Sequence, residues 1–161
     1  DGRLVFDKLL NVAYGESYVI EKDGSLLVSI QKQYDGQHVS FPSGEDSLGM
    51  AIDVYQDSIG QKVREYLVDF ELLTRVMEEH DFLQLTREES MQMELPSSIG
   101  TFQNLFLQMQ KGPNIYGIAH TMSEQEKSLS FLNCFFVYKK KHVASAKPRP
   151  SKKKSVKIVK E

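Results

Sequence analysis

Val63-Arg64-Glu65-Tyr66-Leu67-Val68-Asp69-Phe70 places one carboxylate, Glu65, on an extended stretch flanked by an aromatic and apolar residues, immediately before an amphipathic helix. Asp69 is a good helix N-cap, and Phe70, Leu73, Val76 and Met77 fall on one helical face. That spacing predicts a helix ending near His80. A carboxylate in a half-buried strand is costly unless donors reach it, and in its ionised form it only accepts hydrogen bonds. Glu65 therefore suits a flat ligand edge with two N–H donors side by side, and the base-pairing edge of guanine is such an edge. The plainer reading is an edge-strand glutamate that faces water or pairs with Arg64 or Lys62.

Towards the start of the chain, residues 3–11 carry Leu4, Val5, Leu9 and Leu10 at helical spacing. Ser17–Lys22 and residues 25–34 are separated by Asp23-Gly24, a strong hairpin signal, and Val19, Leu27, Val28 and Ile30 give the hairpin an apolar side. Residues 37–47 read as loop, with Pro42 and Gly44. Residues 50–55 alternate Met50, Ile52 and Val54 against Ala51, Asp53 and Tyr55, which predicts a strand that turns at Ser58-Ile59-Gly60. Alternation also sets Tyr66 on the face opposite Glu65, as a packing residue.

Beyond the central helix, residues 82–85 read as a buried strand. Residues 86–93 read as a helix capped by Thr86, with Glu88 and Glu89 in its first turn. Pro96-Ser97-Ser98 opens a helix carrying Phe102, Leu105, Phe106 and Met109, broken at Gly112-Pro113-Asn114. Ser123 and Glu126 form a capping box. Residues 131–138 are a continuous apolar run suited to a central strand. From Lys147-Pro148-Arg149-Pro150 onward the chain has no core-forming residues, and disorder is expected.

A chain of 161 residues with 40% hydrophobic content buries one core, with no room for two full domains. The lone Cys134 excludes an internal disulfide, fits a reducing compartment, and is inert as a thiol in an apolar strand. No stretch is apolar enough to span a bilayer, and the start has no secretory pattern, so a soluble intracellular protein is expected. His38, His80, His120 and His142 are scattered, and no ligand spacing marks a metal site. The charge is strongly divided. Residues 1–138 hold 10 Lys and Arg against 21 Asp and Glu, whereas residues 139–161 hold 10 Lys and Arg and the single acid Glu161. A basic tail on an acidic body is an interaction arm, with RNA or DNA phosphate its natural target. A solvated tail, one folded back on the acidic body, and nuclear import through Lys152-Lys153-Lys154 are the alternatives.

Glu65-Tyr66-Leu67-Val68-Asp69-Phe70 closely resembles the Glu-Phe-Leu-Val-Tyr-Phe segment of mRNA cap (guanine-N7) methyltransferases, whose glutamate holds the cap guanine. Asp1-Gly2-Arg3-Leu4-Val5-Phe6 resembles the segment where that family's chain leaves the sheet and starts a helix. Ser47-Leu48-Gly49-Met50 resembles its aromatic-Gly turn beside the cap. Thr121-Met122-Ser123-Glu124-Gln125-Glu126, with Leu132-Asn133-Cys134-Phe135-Phe136-Val137-Tyr138-Lys139-Lys140, resembles its final helix and last strand. The wording is nearest to versions from large cytoplasmic DNA viruses, and residues 1–140 are covered.

The resemblance implies an α/β fold: the C-terminal half of a class I, Rossmann-like methyltransferase, with a mixed sheet, helices on both faces, a β-hairpin insertion and a last strand running antiparallel. Residues 141–161 would be a disordered basic tail. The implied reaction is methyl transfer from S-adenosylmethionine to guanine N7 of the capped RNA 5′ end. The implied cap-guanine residues are Glu65, Asn133, Leu48, Gly49 and Asp1, with Lys152, Lys153 and Lys154 on the RNA. No residue acts as a general base, because guanine N7 is already nucleophilic. Leu48 stands where the family places an aromatic, leaving Tyr55 or Tyr34 to stack. Asn133 stands near a family tyrosine, and can bond a base edge or, equally, its own backbone. Asp1 lies at the pocket mouth or is a frayed terminus. No Gly-x-Gly occurs, so the half that binds the cofactor is expected to be absent, cleaved or separately encoded. Capped RNA, that N-terminal half and other capping-enzyme domains are the implied partners, with no membrane. The implied location is the host cytoplasm at a viral factory, the virion, or the nucleus. A cap- or RNA-binding module without catalysis, and a structural subunit that completes a partner's sheet, are the alternatives.

Overall fold

Asp23 and Gly24 both take positive φ, 53° and 78°, as a two-residue hairpin turn requires. The computed structural model describes residues 1–36, 38–110 and 117–141. In chain order these form α1 (Gly2–Leu9), β1 (Ser17–Lys22), β2 (Ser25–Lys32), β3 (Ala51–Gln56), β4 (Gln61–Tyr66), α2 (Phe70–Glu79), β5 (Phe82–Gln84), α3 (Arg87–Gln92), β6 (Ile99–Thr101), α4 (Phe102–Met109), α5 (Glu124–Ser130), β7 (Cys134–Phe136) and β8 (Tyr138–Lys140). A short 3-10 helix, Gly44–Ser47, precedes β3. The chain is therefore a mixed α/β protein with five α-helices among the described residues.

β1 to β4 make one four-stranded sheet in sequence order, and β5 with β8 and β6 with β7 make two small pairs. Every pairing among the described residues is antiparallel, where one mixed sheet was expected. Tight turns join β1 to β2 and β3 to β4, and residues 33–50, which include the 3-10 helix, return the chain from β2 to β3 in the antiparallel sense. The sheet buries one face. Val5, Phe6 and Leu9 of α1 pack against Ile20, Val28, Ile30 and Ile52, with Tyr34, Met50, Leu67 and Leu132 closing the cluster. The other face carries polar residues, among them the Arg64–Asp53 ion pair at 2.7 Å.

The last apolar run departs from expectation. Residues 131–138 do not make one central strand. Phe131 caps the end of α5, and Val137 separates β7 from β8, which belong to different pairs. Ser98 is the cause. Its carbonyl accepts the Val137 N–H at 2.8 Å, and its hydroxyl donates to the Val137 carbonyl at 2.5 Å while accepting the Leu85 N–H at 3.0 Å. Ser97 and Ser98 therefore lead into β6, and the helix after it starts later than expected, capped by Thr101. β5 is half-buried to exposed, not buried, and among the described residues only β8 pairs with it. The expected helix break at Gly112-Pro113-Asn114 and the tail of Lys152, Lys153 and Lys154 lie outside the described residues. No helix among the described residues is long and apolar enough to cross a membrane.

Candidate functional site

Among the described residues β4 is an edge strand, paired only to β3. Glu65 stands directly opposite Ile52, and cross-strand partners project from the same face. That face is the buried one, but α1 and α5 do not cover its β4 margin. The result is a cavity of about 250 Å³. Its floor is Val28, Ile30, Ile52 and Val54, and Leu129 and Leu132 wall one side. Glu65, Asn133, Asp1, Gln56, Tyr66 and Cys134 are its polar and thiol-bearing lining.

Glu65 itself is exposed, as is all of β4, which agrees with the plainer reading of an edge-strand glutamate facing water and corrects the half-buried strand expected from its flanking residues. An edge strand beyond the reach of the covering helices keeps its water on both sides. The ion pairs considered for Glu65 go elsewhere: Arg64 donates to both Asp53 oxygens at 2.7 and 2.9 Å, and Lys62 donates to the Gln31 amide oxygen at 3.1 Å. Among the described residues the Glu65 carboxylate accepts no hydrogen bond. Its acceptor capacity is intact for a ligand.

Asp1 is fixed, not frayed. One carboxylate oxygen accepts the Arg3 and Leu4 N–H groups at 2.8 and 3.2 Å and caps α1. The other accepts the Cys134 S–H at 3.1 Å. Burial pushes the Cys134 thiol above its ordinary range, which keeps it protonated and able to donate. Gly2 makes this packing possible: a Cβ there would stand 2.6 Å from the Val68 carbonyl oxygen.

Asn133 serves the backbone. Its amide nitrogen donates to the Leu129 and Ser130 carbonyls, each at 3.2 Å, and so closes the C-terminal end of α5. Its side-chain oxygen is the group it still offers the cavity. Leu48 and Gly49 line a separate cavity of about 290 Å³, with Leu72, Leu73 and Val76 of α2. Tyr66, Leu67 and Val68 separate the two, so Leu48 and Gly49 are not grouped with Glu65. Tyr66 is 59% exposed, which corrects its reading as a packing residue.

Neither substitute stacking residue reaches the cavity. Tyr55 projects from the opposite face of β3, one position out of phase with Ile52 and Val54. Tyr34 is buried against Phe6, the ring centroids 6.2 Å apart, and burial pushes its phenol up to about 12. Two rings line the cavity, Tyr66 and Phe70, the first residue of α2, which packs on Phe136 at 6.0 Å. Gln56 was not singled out by sequence. The alternation of β3 places it in line with Ile52 and Val54, but only the register with β4 sets that line against Glu65.

The lining holds two carboxylates and no lysine or arginine. The Asp1 carboxylate is already engaged by Arg3, Leu4 and Cys134, which leaves Glu65 as the acceptor open to a donor-rich group. No family model matches this chain, and no curated protein does.

Proposed function

We propose that this chain supplies the guanine-recognising side of an mRNA cap guanine-N7 methyltransferase of Rossmann-like class. The observation that carries the reading is the convergence of Glu65, Asp1 and Asn133 on one cavity, where the Glu65 carboxylate has no partner among the described residues. Those residues come from β4, the start of α1 and the end of α5, three separate stretches of sequence. In this reading Glu65 accepts from the base-pairing edge of guanine, and the apolar floor supports the face of the ring. Methylation at N7 leaves a positive charge on the base, which two nearby carboxylates favour. Positioning does the rest, since N7 needs no deprotonation.

In this reading the S-adenosylmethionine site lies outside these residues. The class I site needs a strand that passes through a glycine-rich turn into a helix, and the sequence contains no Gly-x-Gly. The cofactor belongs, in this proposal, to a companion half. The free edge of β4 is where such a half would extend the sheet, and the same edge favours the second reading, a subunit that completes a partner's sheet. The tail carrying Lys152, Lys153 and Lys154 is proposed to hold RNA phosphate, with the host cytoplasm as the place of action.

The deciding experiment is binding of a GpppG-capped short RNA, and of its uncapped counterpart, to the chain and to Glu65→Ala. The reading predicts a cap preference in the wild type that the variant loses. Equal affinity for both RNAs, abolished by salt, would remove Glu65 as a ligand.

A further inference from the structure

Gln56 is the polar residue at the far end of the cavity from Glu65, and no hydrogen bond among the described residues uses its side chain. It is half-buried at the last position of β3, opposite Gln61, and its own carbonyl accepts the Ile59 and Gly60 N–H groups of the turn at 3.0 and 2.9 Å. Those bonds hold the backbone of Gln56 and leave its amide unengaged.

Glu65 lies opposite Ile52, four positions before Gln56 on the same face. A strand rises ~3.3 Å per residue, so the two backbone anchors stand ~13 Å apart along β3. Val54 lies between them on the same face, and all three line the cavity. At about 250 Å³ the cavity is smaller than the ~300–1,000 Å³ of drug-sized sites. It therefore suits a single nucleoside and not a dinucleotide.

A nucleoside has one end that is a base edge and another that carries hydroxyls. Hydroxyls donate and accept, and an amide does both, whereas a carboxylate only accepts. We infer that Gln56 is the sugar-binding residue of this cavity, hydrogen-bonding the 2′ and 3′ hydroxyls of the ribose whose base rests on Glu65. The triphosphate then continues outside the cavity, away from its two carboxylates. This inference rests on the guanine reading proposed for Glu65.

The test uses the full 161-residue chain, with GpppG and a GpppG analogue lacking both hydroxyls on one guanosine, that guanosine also being the only one able to enter through a block on the other base. Wild type, Gln56→Ala, Gln56→Met and Glu65→Ala are titrated with each. Gln56→Met keeps the length of the side chain and guards against a collapsed cavity. The expected result is that both Gln56 variants weaken GpppG binding about tenfold and leave the analogue's Kd unchanged, as the loss of one or two neutral hydrogen bonds predicts. Equal weakening for both ligands would make Gln56 merely structural, and no weakening for either would make it a bystander. Each overturns the inference while Glu65→Ala still abolishes binding. If Glu65→Ala changes nothing, the guanine reading itself fails and Gln56 falls with it.

Discussion

Lys32 lies in the core at 8% exposure, and its ammonium donates to the Leu9 and Val12 carbonyls at 3.2 and 3.0 Å. These are carbonyls at and just beyond the end of α1, so the lysine both closes the helix and sits at its negative pole. The Tyr34 ring lies 4.9 Å beneath the charge. Lys32→Met keeps the packing volume but removes the donor to the Val12 carbonyl, while the Leu9 carbonyl keeps the Val12 N–H at 3.1 Å. We expect it to lower stability by about 2 kcal/mol, read as a shifted urea midpoint with an unchanged slope. An unmoved midpoint would mean that water replaces the ammonium without cost. Gly2 makes the opposite demand, for absence of bulk. Gly2→Ala should force α1 away from Val68 and weaken ligand binding at the cavity as well as stability, measured by the same titration and the same unfolding curve.

The helix starts at Asp69, Thr86 and Ser123 were legible because caps are local, whereas the Thr101 cap of α4 was missed. Thr86 with Glu89 and Ser123 with Glu126 both form reciprocal capping boxes. Thr86→Ala should cost about 1 kcal/mol in thermal or urea unfolding. Glu126 adds a pH dependence. The Ser123 backbone N–H bonds it first, and Lys22 at 3.0 Å adds to that, holding its carboxyl down to about 2 against an ordinary 4.5. A depressed carboxyl stabilises the fold fully above the ordinary value, and that contribution is lost as pH falls from about 4.5 through about 2. Glu126→Gln should therefore flatten that part of the acid limb and lower stability at neutral pH. Equal pH profiles for the two proteins would count against the bond.

Strands were legible where their signals were local and misread where partners decided. The Asp23-Gly24 hairpin and the alternation of β3 carry their own signal. The 131–138 run gave no hint that Ser98, thirty-nine residues from Val137, would divide it. The burial of Glu65 failed for a related reason. Flanking apolar residues say that a strand has a buried face, but not that it will be the edge strand. The candidate site was half legible: Glu65, Asp1 and Asn133 came together, whereas Leu48 and Gly49 did not, and Gln56 needed a strand register to be found.

Across the whole molecule the charges are segregated, with the acidic excess in residues 1–138 and the basic excess in 139–161. Ending the chain at Lys141 should lower affinity for uncapped RNA and flatten its salt dependence, while leaving any preference for the cap intact. The readout is the slope of log affinity against log salt for both lengths. An unchanged slope would turn the tail into a passenger.

The bonds that close the cavity wall, Asp1 to Leu132 and Cys134 to Asp1, join residues 131 and 133 positions apart. Contacts of such separation form only after a long loop has closed, so they come late in folding and are absent from locally organised intermediates. A nascent chain would make its hairpin and helices well before it had a cavity. Whatever fills that cavity then acts as a clasp on the slowest-won contact in the protein, and its presence would be felt as a longer native lifetime even where the equilibrium stability gained is modest.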